Sequence, residues 1–376
     1  MWVFNVEHDL CLASGERNFI PPRAVVEFAQ RCRWIGKYMP VPQGAGRIVP
    51  WGWNMQLKER LLREGVPAAE LPSDAELEFI KENSRRELAV ELLEHLNGGY
   101  DGSWGDDGKS SKNGSWGDRE RGGRIVSSRY RIVAHSLLEI EEFLGKRVRV
   151  VLKAPLSGSG KGVRFVTGEL METDRGWCRR TLESQEAVIV EERLDVVQEF
   201  AMLFEVGAVS AGVEGTCIGG IKFLGYSMFY ASNGAYKGNL LASNGYIEEK
   251  LAGIVGNAIC RESGGSVEPG MQGNPEVSEL GETLGQIREN VAGFLQEKLC
   301  GRYTGFVGVD MFLYRGGEGR VMINPAVEIN LRMTMGLIAR NIFDNHREEL
   351  QLGDGTHCFE PERGINGAAS PSVPNL

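Results

Sequence analysis

The sequence predicts a chain that mixes helices and strands and folds into two or three lobes around a cleft. Its 376 residues are more than one simple core requires. The start, from Trp2 to Val6, has the apolar pattern of a buried strand, and helical periodicity follows from Pro22 to Arg33. Later segments alternate apolar and polar residues, as strands do, on either side of a long amphipathic helix. These observations favour a strand–helix unit followed by α+β lobes.

Composition excludes several classes of function. The formal net charge of -9 argues against a nucleic-acid partner, because phosphate backbones require a basic surface. The 7 cysteines are odd in number and contain no CxxC pair, which is typical of reduced thiols. The first residues lack a basic region before an apolar stretch, and no apolar run is long enough to span a bilayer. We therefore expect a cytoplasmic protein without a membrane partner.

Two capping boxes predict helix starts. Ser73 precedes Glu76 by three positions, and Ser84 precedes Glu87 by the same spacing. The second helix would bury one apolar side. That side carries Leu88, Leu92, Leu93 and Leu96.

Two segments have the composition of loops. Residues 98–123 are rich in Gly, Ser, Asp and Lys, and GSWGD occurs there twice, from Gly102 and from Gly114. This composition favours a flexible insertion, although an active-site lid is an open alternative. The end of the chain from Gly353 is rich in Gly, Ser, Pro and Asn, which predicts a frayed tail.

The remaining regular elements follow from apolar periodicity. We predict strands at Arg147–Lys153, Ala187–Val190, Glu199–Val206, Phe223–Tyr230, Phe306–Tyr314 and Val321–Ile329. The long helix carries Leu280, Leu284, Ile287, Val291, Phe294 and Leu295 at helical spacing.

A lysine-bearing strand followed by a glycine-rich turn indicates phosphate binding. Lys153 ends the strand, and the turn consists of Ser157, Gly158, Ser159, Gly160, Lys161 and Gly162. Glycines allow backbone N–H groups to surround phosphate oxygens, with the lysine as a fixed cation. The spacing fits neither a Walker A loop nor a dinucleotide fingerprint, and a protein kinase places its lysine after the loop. A plain hairpin with an exposed lysine is the open alternative.

Metal-binding side chains are concentrated on two predicted strands near the end of the chain. Glu328, Asn330 and Arg332 alternate along one strand and therefore share a face, which Asp310 on the preceding strand can approach. Two adjacent carboxylates repel unless a proton or a cation intervenes. Carboxylate and amide oxygens suit Mg²⁺. We therefore predict a metal site at Asp310, Glu328 and Asn330; a solvated polar face is the alternative.

A third segment carries a weaker signal. The strand from Ala187 ends in Glu191, Glu192, Arg193 and Leu194, and Glu199 begins the next strand. An extended linker can offer its backbone to an adenine edge, and a nearby glutamate can accept both ribose hydroxyls. Surface glutamates are usually only solvated, so this segment alone indicates little.

In this order the three segments resemble the ATP-grasp superfamily over roughly Asn83 to Leu350. The resemblance implies two α+β lobes with antiparallel sheets that hold ATP between them, preceded by a Rossmann-like α/β domain. We accordingly expect the Rossmann-like domain at 1–82 and the first lobe at 83–190, with the insertion at 98–123. The second lobe, with the metal site, would cover 191–352, and the tail 353–376.

The resemblance also implies roles for individual residues. Lys153 would contact the α- and β-phosphates beneath a lid formed by residues 157–162. Glu191, Glu192 and Leu194 would belong to the adenine-binding linker, and Glu199 would bind the ribose. Asp310, Glu328 and Asn330 would hold Mg²⁺ or Mn²⁺. The family's first phosphate-binding lysine corresponds to Arg85 or Arg86, and a cation of the second lobe to Lys222 or Lys237, with Lys237 favoured.

The activity implied is that of a ligase, with ATP, a small carboxylate and an amine as its substrates. The carboxylate would be activated as an acyl phosphate, and Arg332 would stabilise the oxyanion. Some relatives place an arginine two residues before the metal-binding aspartate, where this chain has Gly308. A small-molecule kinase and a non-catalytic nucleotide-binding protein are the alternatives. Glu7, His8 and Asp9 form either a substrate-facing cluster or a capped turn.

Overall fold

The computed structural model describes residues 1–97, 131–158, 162–207, 220–232, 235–262, 275–316 and 321–367. The predicted insertion at 98–123 and residues Ser159, Gly160 and Lys161 lie outside these ranges. No helix in the described part of the chain combines the length and the apolar character that a membrane span needs.

The N-terminal segment is mainly helical. It contains two strands, β1 (Trp2–Val3) and β2 (Val49–Pro50), paired in parallel. Its α-helices are α1 (His8–Ser14), α2 (Arg23–Arg31), α3 (Met55–Arg63) and α4 (Asp74–Asn83). Short 3₁₀ helices cover Arg33–Tyr38 and Ala68–Glu70. The described residues 1–82 thus hold two short strands, and the expected Rossmann-like domain is not confirmed.

The predicted first strand is shorter than expected because of Asn5. The Asn5 side chain donates to Gly52 O at 2.8 Å and accepts from Trp51 N at 3.1 Å. Trp51 N also donates to Val3 O at 2.7 Å, and beyond that ladder bond the Asn5 side chain makes the contacts to residues 51–52.

One of the two predicted capping boxes is confirmed. Ser73 accepts from Glu76 N, and Glu76 reaches back to the Ser73 backbone at the start of α4. Ser84 instead ends α4, and its hydroxyl donates to Ile80 O at 2.7 Å. Helix α5 (Glu87–Leu96) begins after Arg86, whose backbone N–H donates to Pro155 O at 3.0 Å. The second capping box was therefore wrong, although the predicted leucine face of α5 is buried.

A four-stranded antiparallel sheet forms a small lobe. Its strands are β3 (Arg131–Ala134), β4 (Arg149–Lys153), β5 (Val163–Thr167) and β6 (Val188–Glu192). Their order is β3-β6-β4-β5. Helices α6 (Leu137–Gly145) and α7 (Glu172–Gln185) contribute side chains to the apolar core beside this sheet.

A seven-stranded antiparallel sheet forms the larger lobe. Its strands are β7 (Asp195–Val206), β8 (Ile221–Ser232), β9 (Ala235–Leu241), β10 (Gly305–Arg315), β11 (Val321–Asn330), β12 (His357–Glu360) and β13 (Gly364–Gly367). Their order is β11-β10-β7-β8-β9-β12-β13. Helices α8 (Asn244–Glu262), α9 (Pro275–Leu299) and α10 (Met335–His346) complete the lobe.

The two faces of the large sheet are covered differently. Val307, Val309 and Met311 alternate along β10 toward one core, which also contains α5, α8 and α9. Phe306 points the other way, into a core shared with α10 and the N-terminal segment. The leucine, isoleucine and phenylalanine side chains predicted for the long helix are buried, which confirms α9.

The predicted tail was partly wrong. Strands β12 and β13 form a hairpin, and β12 pairs with β9 through His357 and Leu241. Phe359 is fully buried in the second core. This apolar anchor outweighs the loop-like composition, so the large sheet continues past residue 352 to Gly367.

Candidate functional site

The proposed metal ligands lie together on β10 and β11. Asp310 is directly opposite Glu328 in the antiparallel register, so their side chains share a face. Asn330 lies two residues further along β11, and its Nδ2 donates to Asp310 Oδ2 at 3.1 Å. The structure thus brings together the three residues that the sequence grouped.

The surroundings of Asp310 disfavour its charged form. Burial raises the pKa of Asp310 to about 7, and the neighbouring Glu328 and Glu199 carboxylates add to the effect. Arg332 and Asn330 act in the opposite direction but do not cancel it. Burial also raises the pKa of Glu199 on β7. A cation at this face would therefore relieve an unfavourable electrostatic arrangement.

The donor atoms suit a hard divalent cation. Among the described residues, no three His, Cys, Asp or Glu side chains form a metal-binding group, so the candidate set is two carboxylates and one amide. Oxygen donors of this kind fit Mg²⁺, which commonly takes its other ligands from phosphates and water. A half-turn of the Asn330 amide would present its oxygen in place of its nitrogen.

Arg86 and Arg85, which the sequence left as alternatives, point to different partners. Arg86 forms an ion pair with Glu328 at 2.8 Å and donates to Ala154 O at 2.6 Å and Ser157 Oγ at 2.8 Å. Arg85 pairs with Glu87 at 2.6 Å and donates to Gln185 O at 2.7 Å. Arg86 is therefore the arginine that contacts the candidate site.

Lys153 belongs to a buried charge cluster on the small sheet. Its Nζ lies 2.8 Å from Glu191 Oε2, and Arg131 Nε lies 2.9 Å from Glu191 Oε1. Burial raises the pKa of Glu191, but Arg131 and Lys153 outweigh it and hold that pKa below its ordinary value. Burial lowers the pKa of Lys153 against the opposing effect of Glu191. Strand β4, which carries Lys153, is a direct neighbour of β6, so sheet pairing explains this contact.

The predicted adenine linker connects the two sheets. The Glu191 side chain turns toward Lys153, whereas Glu192 pairs with Arg147 at 2.8 Å. Arg193 N donates to Arg149 O at 3.0 Å. Leu194 packs against the core that contains α5, α8 and α9. Residues 193–194 are therefore the point where the chain passes from β6 of the small sheet to β7 of the large one.

The described part of the glycine-rich turn is close to α1. Ala154 N donates to Gly162 O at 2.8 Å, which closes the β4–β5 hairpin. A Cβ on Gly162 would lie 2.2 Å from Ser157 Cβ, so only glycine fits there. A Cβ on Gly158 would lie 3.0 Å from the Leu10 side chain.

Arg332 is held by an aspartate from the start of the chain. Its Nε and Nη2 donate to the two carboxylate oxygens of Asp9 at 2.7 and 2.8 Å, and its Nη1 donates to Met333 O at 3.0 Å. Burial raises the pKa of Asp9, but Arg332 outweighs it and holds that pKa below its ordinary value. The sequence named Asp9 only within an undecided cluster, because the two residues are 323 positions apart.

The other two residues of that cluster have structural surroundings. His8 is buried, and its Nδ1 lies 3.1 Å from Asn54 Nδ2. Burial lowers the pKa of His8 to about 4. Glu7 precedes α1 without a side-chain cap bond, and burial raises its pKa. Asp9 is thus the member of the cluster that joins the site.

A small open cleft lies among these groups. Its polar lining consists of Asp9, Ser84, Ser157, Glu328, Asn330 and Arg332. The cleft therefore touches the N-terminal segment, the glycine-rich turn and the metal-ligand strand at once.

Lys237 is not brought to this cleft. It lies exposed on β9, which is three strands from β10, or about 14 Å across the sheet. Lys222 is also exposed, and its strand position is opposite Glu205. The structure thus gives neither lysine a contact with the metal-ligand strands among the described residues.

Comparison with known proteins gives only distant structural matches among those described below. No family model matches the chain. No curated protein matches it either. Solved structures do match it, at low identity and low TM-score.

Three of them show the extent of the likeness. N5-carboxyaminoimidazole synthetase from Staphylococcus aureus, complexed with ADP, is 13% identical, with a TM-score of 0.40 over 84% of this chain and 58% of its own. Biotin carboxylase from Campylobacter jejuni is 11% identical, with a TM-score of 0.42 over 85% and 56%. D-alanyl-alanine synthetase A from Vibrio cholerae is 14% identical, with a TM-score of 0.32 over 58% and 53%. The chain spans less than two thirds of each structure, and similarity this low carries no argument about its chemistry.

Proposed function

We propose that this chain is a Mg-ATP-dependent ligase of the ATP-grasp type, which activates a carboxylate as an acyl phosphate and couples it to an amine. The observation that carries the proposal is the partly buried pair Asp310 and Glu328, with Asn330 beside them, facing Arg86 and Ser157. The cleft lining includes the proposed metal ligands Glu328 and Asn330 together with Ser157, which supports phosphoryl transfer at this place.

The phosphates of ATP are held by side chains of the small lobe and by Arg86 at the start of α5. Lys153 and Arg86 supply positive charge, and the Ser157 hydroxyl can donate to a phosphate oxygen. The backbone between Glu191 and Leu194 receives the adenine, and Glu199 receives the ribose. When bound to Asp310, Glu328 and Asn330, Mg²⁺ supplies neutralisation of the charge on the transferred phosphoryl group.

Arg332 acts on the acyl group. Its guanidinium has further N–H donors besides those bound to Asp9 and Met333 O, and these can stabilise the oxyanion formed when the amine attacks. Asp9 orients that guanidinium. The cleft wall shared by Ser84, Ser157 and Arg332 receives the carboxylate substrate.

A screen for ADP release tests this proposal. The protein would be incubated with Mg-ATP and pairs of small carboxylates and amines, including amino acids and dipeptides. We expect ADP release that depends on a carboxylate and increases with an amine. Hydroxylamine would trap the acyl phosphate as a hydroxamate, whereas a stable phosphorylated product would identify a kinase. ATP binding with no ADP release across the whole screen would contradict catalysis.

A further inference from the structure

Arg86 lies between the proposed metal ligands and the glycine-rich turn. Its Nη2 is 2.8 Å from Glu328 Oε1, while its Nη1 donates to Ser157 Oγ at 2.8 Å and to Ala154 O at 2.6 Å. The Arg86 side chain is 7% exposed, and that of Glu328 is 29% exposed. One guanidinium therefore contacts both halves of the site.

The position of Arg86 is fixed by its backbone as well. Its N–H donates to Pro155 O at 3.0 Å, and the next residue begins α5. The backbone bond ties the residue to the strand–turn unit that carries Lys153. The planar fork of an arginine can serve two acceptors at once, which the single ammonium of a lysine does less well.

This arrangement sets up a competition at Glu328. A divalent cation bound to the Glu328 carboxylate would lie close to the Arg86 guanidinium, and the two positive charges would repel. The repulsion is strong here because Arg86 is buried and weakly screened. A polyphosphate near Ser157 would give Arg86 a second anionic partner and would relieve this repulsion.

We propose that Arg86 couples the binding of the divalent cation to the binding of the nucleotide. Arg86 opposes the cation when it arrives alone and favours it when the phosphates are present. The coupling is reciprocal, so the cation must also strengthen nucleotide binding by the same factor. This inference rests on the proposed function, since it takes Glu328 as a metal ligand and Ser157 as a phosphate contact.

Mn²⁺ binding tests the coupling without any measurement of turnover. The affinity for Mn²⁺ would be measured by electron paramagnetic resonance, with and without ADP, for the wild type, Arg86→Gln and Arg85→Gln. We expect Arg86→Gln to bind Mn²⁺ alone about fivefold to tenfold more tightly than the wild type, since it lacks the competing charge. ADP should strengthen Mn²⁺ binding in the wild type by a clearly larger factor than in Arg86→Gln.

Arg85→Gln is the matched control. It removes the same charge one position away, from a guanidinium that contacts Glu87 and Gln185 O. It should therefore keep both the wild-type affinity for Mn²⁺ and the wild-type effect of ADP. Equal effects of the two variants would mean that the loss of one positive charge alone explains the result. That outcome would overturn the role of Arg86.

Two further variants separate the possible failures. If Arg86→Gln does not fold, as judged by circular dichroism, Arg86→Lys keeps the charge but loses the two-sided contact, and its coupling factor should be smaller than that of the wild type. An unchanged coupling factor in the variant that folds contradicts the inference. Glu328→Gln should lose Mn²⁺ binding in the presence of ADP; if it does not, the proposed metal site itself is wrong, whatever Arg86 does.

Discussion

Arg332 and Asp9, which are 323 positions apart in the sequence, form a bidentate ion pair beside the proposed metal ligands. The side chains are 17% and 27% exposed, so the pair is partly shielded from water. A bidentate arginine–carboxylate contact fixes the orientation of the guanidinium as well as its charge. The N-terminal segment thereby determines where Arg332 points within the cleft.

Replacing Asp9 by Asn should therefore reduce turnover. The substitution removes a charge-assisted hydrogen bond of about 1.5–3 kcal/mol, so kcat should fall about 10-fold to 100-fold. The KM for ATP should change little, because Asp9 is proposed to act through Arg332 and not on the nucleotide. Steady-state kinetics of ADP release would separate the two parameters.

Glu7→Gln is the control for this variant, because Glu7 lies two residues away and has no described bond to Arg332. Its kcat should stay near the wild-type value. A rise in the KM for ATP without a fall in kcat in Asp9→Asn would contradict the positioning role.

The sequence grouped Asp310, Glu328 and Asn330 correctly as neighbours, whereas it did not predict the contact between Lys153 and Glu191. Asp310 and Glu328 belong to a hairpin, and residues 153 and 191 lie on adjacent strands, so strand periodicity alone restricts where they point. The contact of Asp9 with Arg332 depends on how the N-terminal segment packs on the large sheet. No local sequence pattern predicts such packing. The sequence therefore could not decide whether Asp9 faces the substrate or belongs to a capped turn.

The errors in the predicted fold have the same origin. Ser84 has the spacing of a capping box, but the backbone bond from Arg86 to Pro155 fixes the start of α5 instead. The C-terminal hairpin has a loop-like composition, yet Phe359 is buried and β12 pairs with β9. In both cases a long-range contact overrides the local sequence pattern.

Replacing Asp310 by Asn should abolish Mg-dependent ADP release without unfolding the protein. The neutral side chain has nearly the same shape and removes a negative charge from a partly buried position next to Glu328. Because burial already raises the pKa of Asp310 to about 7, the fold tolerates a neutral group there. Activity and urea unfolding would be measured on the same preparation.

Asp195→Asn, at the exposed start of β7, is the matched control, since its partner Arg315 is far along the strand from the metal ligands. It should keep wild-type activity. Wild-type ADP release in Asp310→Asn would remove the metal assignment.

Replacing Glu191 by Gln should destabilise the protein strongly. The change leaves Lys153 and Arg131 buried with no carboxylate between them, and loss of one member of a buried charge cluster typically costs about 3–5 kcal/mol. Urea unfolding monitored by tryptophan fluorescence would measure the difference. Glu192→Gln is the comparison, because its partner Arg147 is 25% exposed and such a pair contributes only about 0–1 kcal/mol. Equal losses of unfolding free energy in the two variants would contradict the larger contribution expected of the buried cluster.

The stability of the protein should fall in acid because of His8. Burial lowers the pKa of His8 to about 4, below the ordinary value of 6.5. The unfolded chain therefore binds a proton more readily than the folded chain between these values. The contribution of His8 to stability is present above pH 6.5 and is lost as the pH falls toward 4, by at most about 3 kcal/mol.

His8→Asn should reduce this dependence on pH, whatever it does to the stability at neutral pH. Free energies of unfolding in urea would be compared between pH 7 and pH 4.5 for the wild type, His8→Asn and His357→Asn. His357 is partly exposed and lies on β12, so its replacement should leave the wild-type difference unchanged. If His8→Asn loses as much stability between the two pH values as the wild type, the buried His8 is not the group that titrates.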